Sequence, residues 1–98
     1  MERLLSCKKR GIVYLIRCDG KRYYKIGVTK QLEKRLNTIE TCCPFHIVLT
    51  AWAETTTPYD LESYLHGSYA AKRIKGEWFL LDDCDVAAIR HTLKASVL

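Results

Sequence analysis

Two β-rich runs flank an Asp-Gly pair, and that pair restricts the first third of the chain to a hairpin. The runs are Gly11 to Arg17 (GIVYLIR) and Tyr23 to Thr29 (YYKIGVT), with Cys18-Asp19-Gly20-Lys21 between them. Asp and Gly tolerate the positive φ angles that a tight type I′ turn demands. With Asp19 and Gly20 as the two loop residues, Tyr14 lies directly opposite Lys25 and Ile12 opposite Gly27. Alternation then puts Val13, Leu15, Tyr24 and Ile26 on one face as a core, and Tyr14, Tyr23, Lys25 and Gly27 on the other.

Downstream, Thr29 can cap a helix over about residues 30 to 40, with Leu32, Leu36 and Ile39 as its buried stripe and Arg35 at the border. Cys42-Cys43-Pro44 ends that helix, and His46 to Ala53 (HIVLTAWA) reads as a third strand. Thr57 as N-cap, Pro58 in the first turn and Asp60 start a second helix that runs to about Lys72. Trp78 to Leu81 is a short strand or extended segment. Asp82 or Asp83 then caps a last helix, Val86 to Leu93. The order predicts an α/β chain: a central, mostly antiparallel three-stranded sheet flanked by helices, in one domain spanning 1–98.

Length and composition agree with one folded domain. The chain has 98 residues, 48% of them hydrophobic, which is too apolar for disorder. No apolar run approaches the ~20 residues of a membrane span, and the N-terminus lacks a signal-peptide core. Membrane and secreted classes are therefore excluded, and a cytoplasmic protein is expected. The net charge of +5 suits phosphate-bearing partners. Its basic residues, from Lys8, Lys9 and Arg10 to Lys72, Arg73 and Lys75, are spread along the chain and several flank the motifs below. Five cysteines, an odd number without a CxxC pair, read as reduced, mostly buried thiols. Cys42, Cys43 and His46 form a C-C-x-x-H cluster too crowded for an ordinary tetrahedral site. Trp52, Trp78 and Phe79 read as core rather than as stacking platforms.

Three polar groupings carry chemistry. Glu62, His66, Tyr69 and Arg73 share one stripe of the second helix, where a carboxylate and an imidazole one turn apart can bind a cation or handle a proton. The same stripe is also what a solvated face looks like. Tyr14 opposite Lys25 puts an ammonium beside a phenol, which lowers the phenol's pKa and favours a general base, or else lays a lysine over a ring. Arg35 is a structural tether or a guanidinium held for phosphate.

Gly11-Ile12-Val13-Tyr14, followed eleven residues after Tyr14 by Lys25-Ile26-Gly27, resembles the paired motif of the GIY-YIG nuclease superfamily. The continuation KIGVTKQLEKR, the helical LESYLH and the closing GEWF (Gly76 to Phe79) are similar to a small phage- and bacterium-borne branch of it. The resemblance covers about residues 11–81. It implies a metal-dependent endonuclease that hydrolyses phosphodiester bonds in DNA with one Mg²⁺ (or Mn²⁺). Tyr14 then helps deprotonate or orient the attacking water, and Lys25, in place of a second tyrosine, tunes Tyr14 or contacts the phosphate. Arg35 stabilises the phosphoryl oxygens, Glu62 binds the metal, and His66 is a further catalytic residue. Gly27, Arg73 and Glu77 are assigned to substrate binding. Ile39 departs from the pattern, since many relatives carry a histidine there.

Phosphodiester hydrolysis needs a nucleophilic water, a cation across the non-bridging oxygens and a means of stabilising the leaving alkoxide. The expected partner is nucleic acid, DNA by the resemblance, with a homodimer or a separate targeting domain supplying selectivity. Two alternatives stay open: a catalytically weakened nucleic-acid-binding module on the same scaffold, and a protein-interaction domain.

Overall fold

The computed structural model describes residues 10–96, so Cys7, Lys8 and Lys9 lie outside the described residues. The elements are β1 (Gly11–Cys18), β2 (Tyr23–Thr29), α1 (Leu32–Cys42), β3 (Ile47–Thr55), α2 (Pro58–Ser68), a short 3-10 turn (Ala70–Lys72), β4 (Arg73–Lys75), β5 (Trp78–Leu80) and α3 (Asp83–Ala95). The strands form one antiparallel sheet in the order β3-β1-β2-β5-β4. The α/β class is as expected, but the sheet has five strands rather than three. The additional pairings come from β4 and β5, which are joined by a two-residue Gly76-Glu77 turn with Gly76 at φ 58°.

The hairpin register is shifted by two residues from the expectation: Tyr14 faces Gly27, Ile16 faces Lys25 and Ile12 faces Thr29. A type I′ turn needs positive φ at both central residues, and only Gly20, at 78°, has it. The turn closes with Lys21 N–H donating to the Cys18 carbonyl at 3.0 Å, and the β1–β2 pairing resumes only at Arg17 and Tyr24. Because the shift is even, every side chain keeps its face. Val13, Leu15, Tyr24 and Ile26 do form the core, with Leu65, Phe79, Ile89 and Leu93 from α2, β5 and α3.

Helices α2 and α3 cover this face. Gly11 admits α2 closely, since a Cβ there would sit 2.7 Å from Pro58 Cγ. Helix α3 is started by a capping box, Asp85 N–H to Asp82 Oδ1 at 2.9 Å and Asp82 N–H to Asp85 Oδ2 at 3.1 Å. Other boundaries differ from the sequence expectation. Thr29 caps nothing and instead accepts from Gln31 N–H in the turn before α1. Leu32, Leu36 and Ile39 are only half-buried, and Arg35 is exposed. Thr57 holds the N-cap position of α2 without a capping side-chain bond, and α2 ends at Ser68, not Lys72. Tyr69 therefore leaves the polar stripe and packs against the core.

The cysteines are more exposed than expected. Cys18 is buried and Cys43 half-buried, but Cys42 and Cys84 are on the surface. Burial, with Cys43 alongside, raises the Cys18 thiol's pKa and so disfavours its reactive thiolate. No cluster of three metal-ligating side chains occurs among the described residues, and His46 pairs with Glu40 at 3.0 Å instead of joining the cysteines. Phe79 is core as expected and Trp78 is half-buried, whereas Trp52 is 50% exposed on edge strand β3. No helix among the described residues is long and apolar enough to cross a membrane.

The Tyr14–Gly27 pairing is the tightest contact at the centre of the sheet. A Cβ on Gly27 would lie 2.6 Å from Tyr14 Cζ and closer still to its hydroxyl oxygen. Gly27→Ala is expected to cost about 1–3 kcal/mol through overpacking. In a Tyr14→Ala background most of that cost should vanish, a coupling that urea unfolding of the double-mutant cycle measures. Additive costs would show that the ring is not the obstacle.

Candidate active site

Strand β2 outruns its neighbour. Lys25 pairs with Trp78, and Ile26 N–H still donates to the Glu77 carbonyl at 3.1 Å, but there the chain turns away through Gly76. Beyond that point β2 would expose carbonyls with no strand to satisfy them. Two side chains take the place of the missing strand. His66 Nε2 donates to the Ile26 carbonyl at 2.9 Å, and Arg35 Nη1 makes a longer bond, 3.4 Å, to the Val28 carbonyl. One comes from α2 and the other from α1, so the open edge draws both helices to one place.

His66 is thereby fixed in role. A carbonyl only accepts, so Nε2 carries the proton, which leaves Nδ1 facing Arg73 Nη2 at 3.4 Å. Its ring also meets Phe79 edge-on, with centroids 5.1 Å apart. The bond to the Ile26 carbonyl anchors α2 and, one turn earlier, Glu62, whose Oε2 is 3.9 Å from Nε2. Arg73 sits on β4, not on α2, and packs over Phe79 at 5.4 Å. It borders the site through His66.

Tyr14 is fully buried, and its hydroxyl has no hydrogen-bond partner among the described residues. Burial raises its pKa, Arg35 nearby lowers it, and Glu77 and Glu62 raise it, with a net upward shift. Arg35 lowers it by presenting both its N–H groups and its charge to the phenol, although no contact between them has the geometry of a full hydrogen bond. This corrects the expectation for Lys25, which does not face Tyr14. Its ammonium is paired with Glu77 Oε1 at 3.0 Å and lies 5.7 Å from the centre of the Trp78 ring.

Glu77, expected to bind substrate, stands with its carboxylate beside Lys25, Glu62 and Gly27. Gly27 contributes by lacking a side chain: a Cβ would come within 3.1 Å of Glu77 Oε1 as well as striking Tyr14. Glu62 is held above the usual carboxylate range, chiefly by burial and then by the negative charge of Glu77, with His66 and Lys25 opposing. Tyr14, Lys25, Gly27, Arg35, Glu62, His66 and Glu77 therefore adjoin one another at one end of β2. The signal that locates Glu77 was available: a Gly-X pair between two short β-type runs, RIK and WFL, is a tight hairpin.

A carboxyl whose pKa rises on folding holds more proton in the native than in the unfolded state. Stability is then lost as pH climbs from the ordinary Glu value through the raised one. Glu62→Gln is expected to raise Tm near pH 8, on the scale of ~4–8 °C per kcal/mol recovered. The gain should disappear near pH 3, below the ordinary Glu value, where the wild-type carboxyl is protonated in both states. A thermal melt series across pH checks this, and an unchanged or lowered Tm at pH 8 contradicts it.

Residues 11–95 fit the family model of the T5orf172 domain, which spans every strand and helix of the site. No curated protein and no solved structure gives a significant match. With nearly its whole length matched, the chain belongs to the T5orf172 domain family.

Proposed function

We propose that the chain is a divalent-metal-dependent endonuclease that hydrolyses DNA phosphodiester bonds by one-metal chemistry of the GIY-YIG type. The observation that carries this reading is the Tyr14 hydroxyl, buried and without a hydrogen-bond partner among the described residues, between Arg35 and the two carboxylates of Glu62 and Glu77. Leaving such a group unsatisfied costs about 1–3 kcal/mol. That cost, at the meeting point of a guanidinium and two carboxylates, suits a group kept for a substrate. The membership of the T5orf172 family and the motif resemblance point the same way.

The residues fit a Mg²⁺ or Mn²⁺ ion. Glu62 is penalised as an anion by burial and by Glu77, and a cation held by these two residues would relieve both penalties. Such hard ions accept few protein oxygens and keep several waters. When bound, the ion supplies charge stabilisation to the phosphoryl and leaving oxygens. Arg35 directs its guanidinium at the non-bridging oxygens. Tyr14 Oη, a neutral phenol at rest, orients the attacking water and acts as a base only once it has lost its own proton to solvent beside the Arg35 guanidinium. The phenolate then takes up the water's proton as the P–O bond to water forms and the bond to the leaving alkoxide breaks, the alkoxide being protonated from solvent. Lys25 is bound to Glu77 at rest, and once Glu77 is engaged elsewhere its ammonium is free to meet the phosphate.

The test is conversion of supercoiled plasmid to open circle with Mg²⁺ and with chelator. Wild-type protein should nick only with metal, and Tyr14→Phe and Glu62→Ala should each lower the rate at least ~100-fold. Near-wild-type nicking by either variant removes the role given to that residue. The Lys25–Glu77 ion pair supports a second reading, a binding module whose cation is permanently engaged. That module binds DNA more weakly as salt rises, is indifferent to chelator and nicks nothing.

A further inference from the structure

Beside the site, between the C-terminal half of α1 and the α1-side face of β2 and β5, lies an open cavity of about 620 Å³. That volume is in the range of small-ligand sites, ~300–1,000 Å³. Its aromatic wall is Tyr23, Phe45 and Trp78, with Ile39 from α1, and Lys25 and Lys75 stand among its lining residues. No acidic residue lines it. Tyr23 is 43% exposed and Phe45 46%, so neither ring is spent on the core.

We propose that this cavity receives an unstacked base of the DNA strand whose phosphate is held at Lys25 and Arg35, a proposal that rests on the nuclease reading above. Flat aromatic faces next to ammonium groups match the two halves of a nucleotide, a base that stacks and a phosphate that seeks a cation. The pairing is built in: Lys21 Nζ lies 5.2 Å from the Phe45 ring centre and Lys25 Nζ 5.7 Å from that of Trp78. Lys25 belongs to both the cavity and the Glu77 ion pair, so a base in the cavity and a phosphate at the site are neighbours along one strand. A second copy of the chain would bring its own net charge of +5 to these lysines, which disfavours it as the occupant. The site is thus suited to a strand with a base out of the stack, at a frayed, mismatched or single-stranded position.

The experiment is fluorescence anisotropy in chelator, where no strand is cut, with a labelled oligothymidylate of about 12 nucleotides. The comparison probes are the same strand with central abasic sites and a duplex of equal length. Tyr23→Ala and Phe45→Ala, both at exposed positions, are first matched to wild type by thermal melting. Each is expected to weaken single-strand binding roughly 5- to 150-fold. The abasic sites should weaken wild type to a similar degree and add little to either variant, while duplex binding changes less.

Single-strand affinity unchanged in both variants overturns the cavity assignment and leaves the nuclease reading standing. So does an equal loss on intact and abasic strands. Absence of binding to any probe by wild type overturns both. A concentration-dependent dimer in sedimentation that Phe45→Ala abolishes assigns the cavity to a second copy and likewise overturns the proposal.

Discussion

The open edge of β2 organises the molecule's polar chemistry. A strand that continues past its neighbour must satisfy carbonyls that no ladder reaches, and here the Ile26 and Val28 carbonyls are met by His66 and Arg35. Those two bonds bring α2 and α1 to one point on the sheet. The core could hold the helices in several orientations, since apolar contact is not directional. Hydrogen bonds to named backbone oxygens are directional, and they place Glu62 and Arg35 beside Tyr14.

Around that point the charges are balanced but not fully neutralised. Lys25 and Glu77 hold each other, Arg35 offsets the burial of Tyr14, and Glu62 is left carrying the strain of burial beside a second carboxylate. A resting state in which the Tyr14 hydroxyl has no partner among the described residues and Glu62 is a disfavoured anion costs folding energy. That cost is reduced when cationic or phosphate-bearing groups enter. Stability and activity are therefore expected to trade against each other at Glu62, where the polar carboxylate is a burden to the apo protein and the proposed anchor of its metal.

Much of this was legible in the residues. The β-rich runs, the capping aspartates of α3 and the two-residue periodicity gave the α/β class, and the core positions Val13, Leu15, Tyr24 and Ile26 follow from alternation alone. The register did not, because Asp-Gly suggests a type I′ turn while the negative φ of Asp19 selects another closure. Since the shift is even, the face of Tyr14 was right and its partner wrong. The site's composition was legible through the motifs, but the pairings were not. Lys25 turns to Glu77 because β5 lies against β2, a contact set by a three-residue strand whose neighbour β4 is too short for periodicity to show, and Arg35 reaches Tyr14 because β5 leaves the Val28 carbonyl uncovered. The contacts of His66 and Glu77 depend on where β5 begins, which is a tertiary fact.

The most direct test of this arrangement is to follow backbone amide signals by NMR during titration with paramagnetic Mn²⁺, with and without a short DNA strand. The account predicts broadening centred on Gly27, Glu62 and Glu77, together with a shift of the Lys25 side-chain signals as its ion pair opens. Broadening confined to the Asp82–Asp85 cap, or none at any stoichiometric dose, would contradict a cation site at the open end of β2.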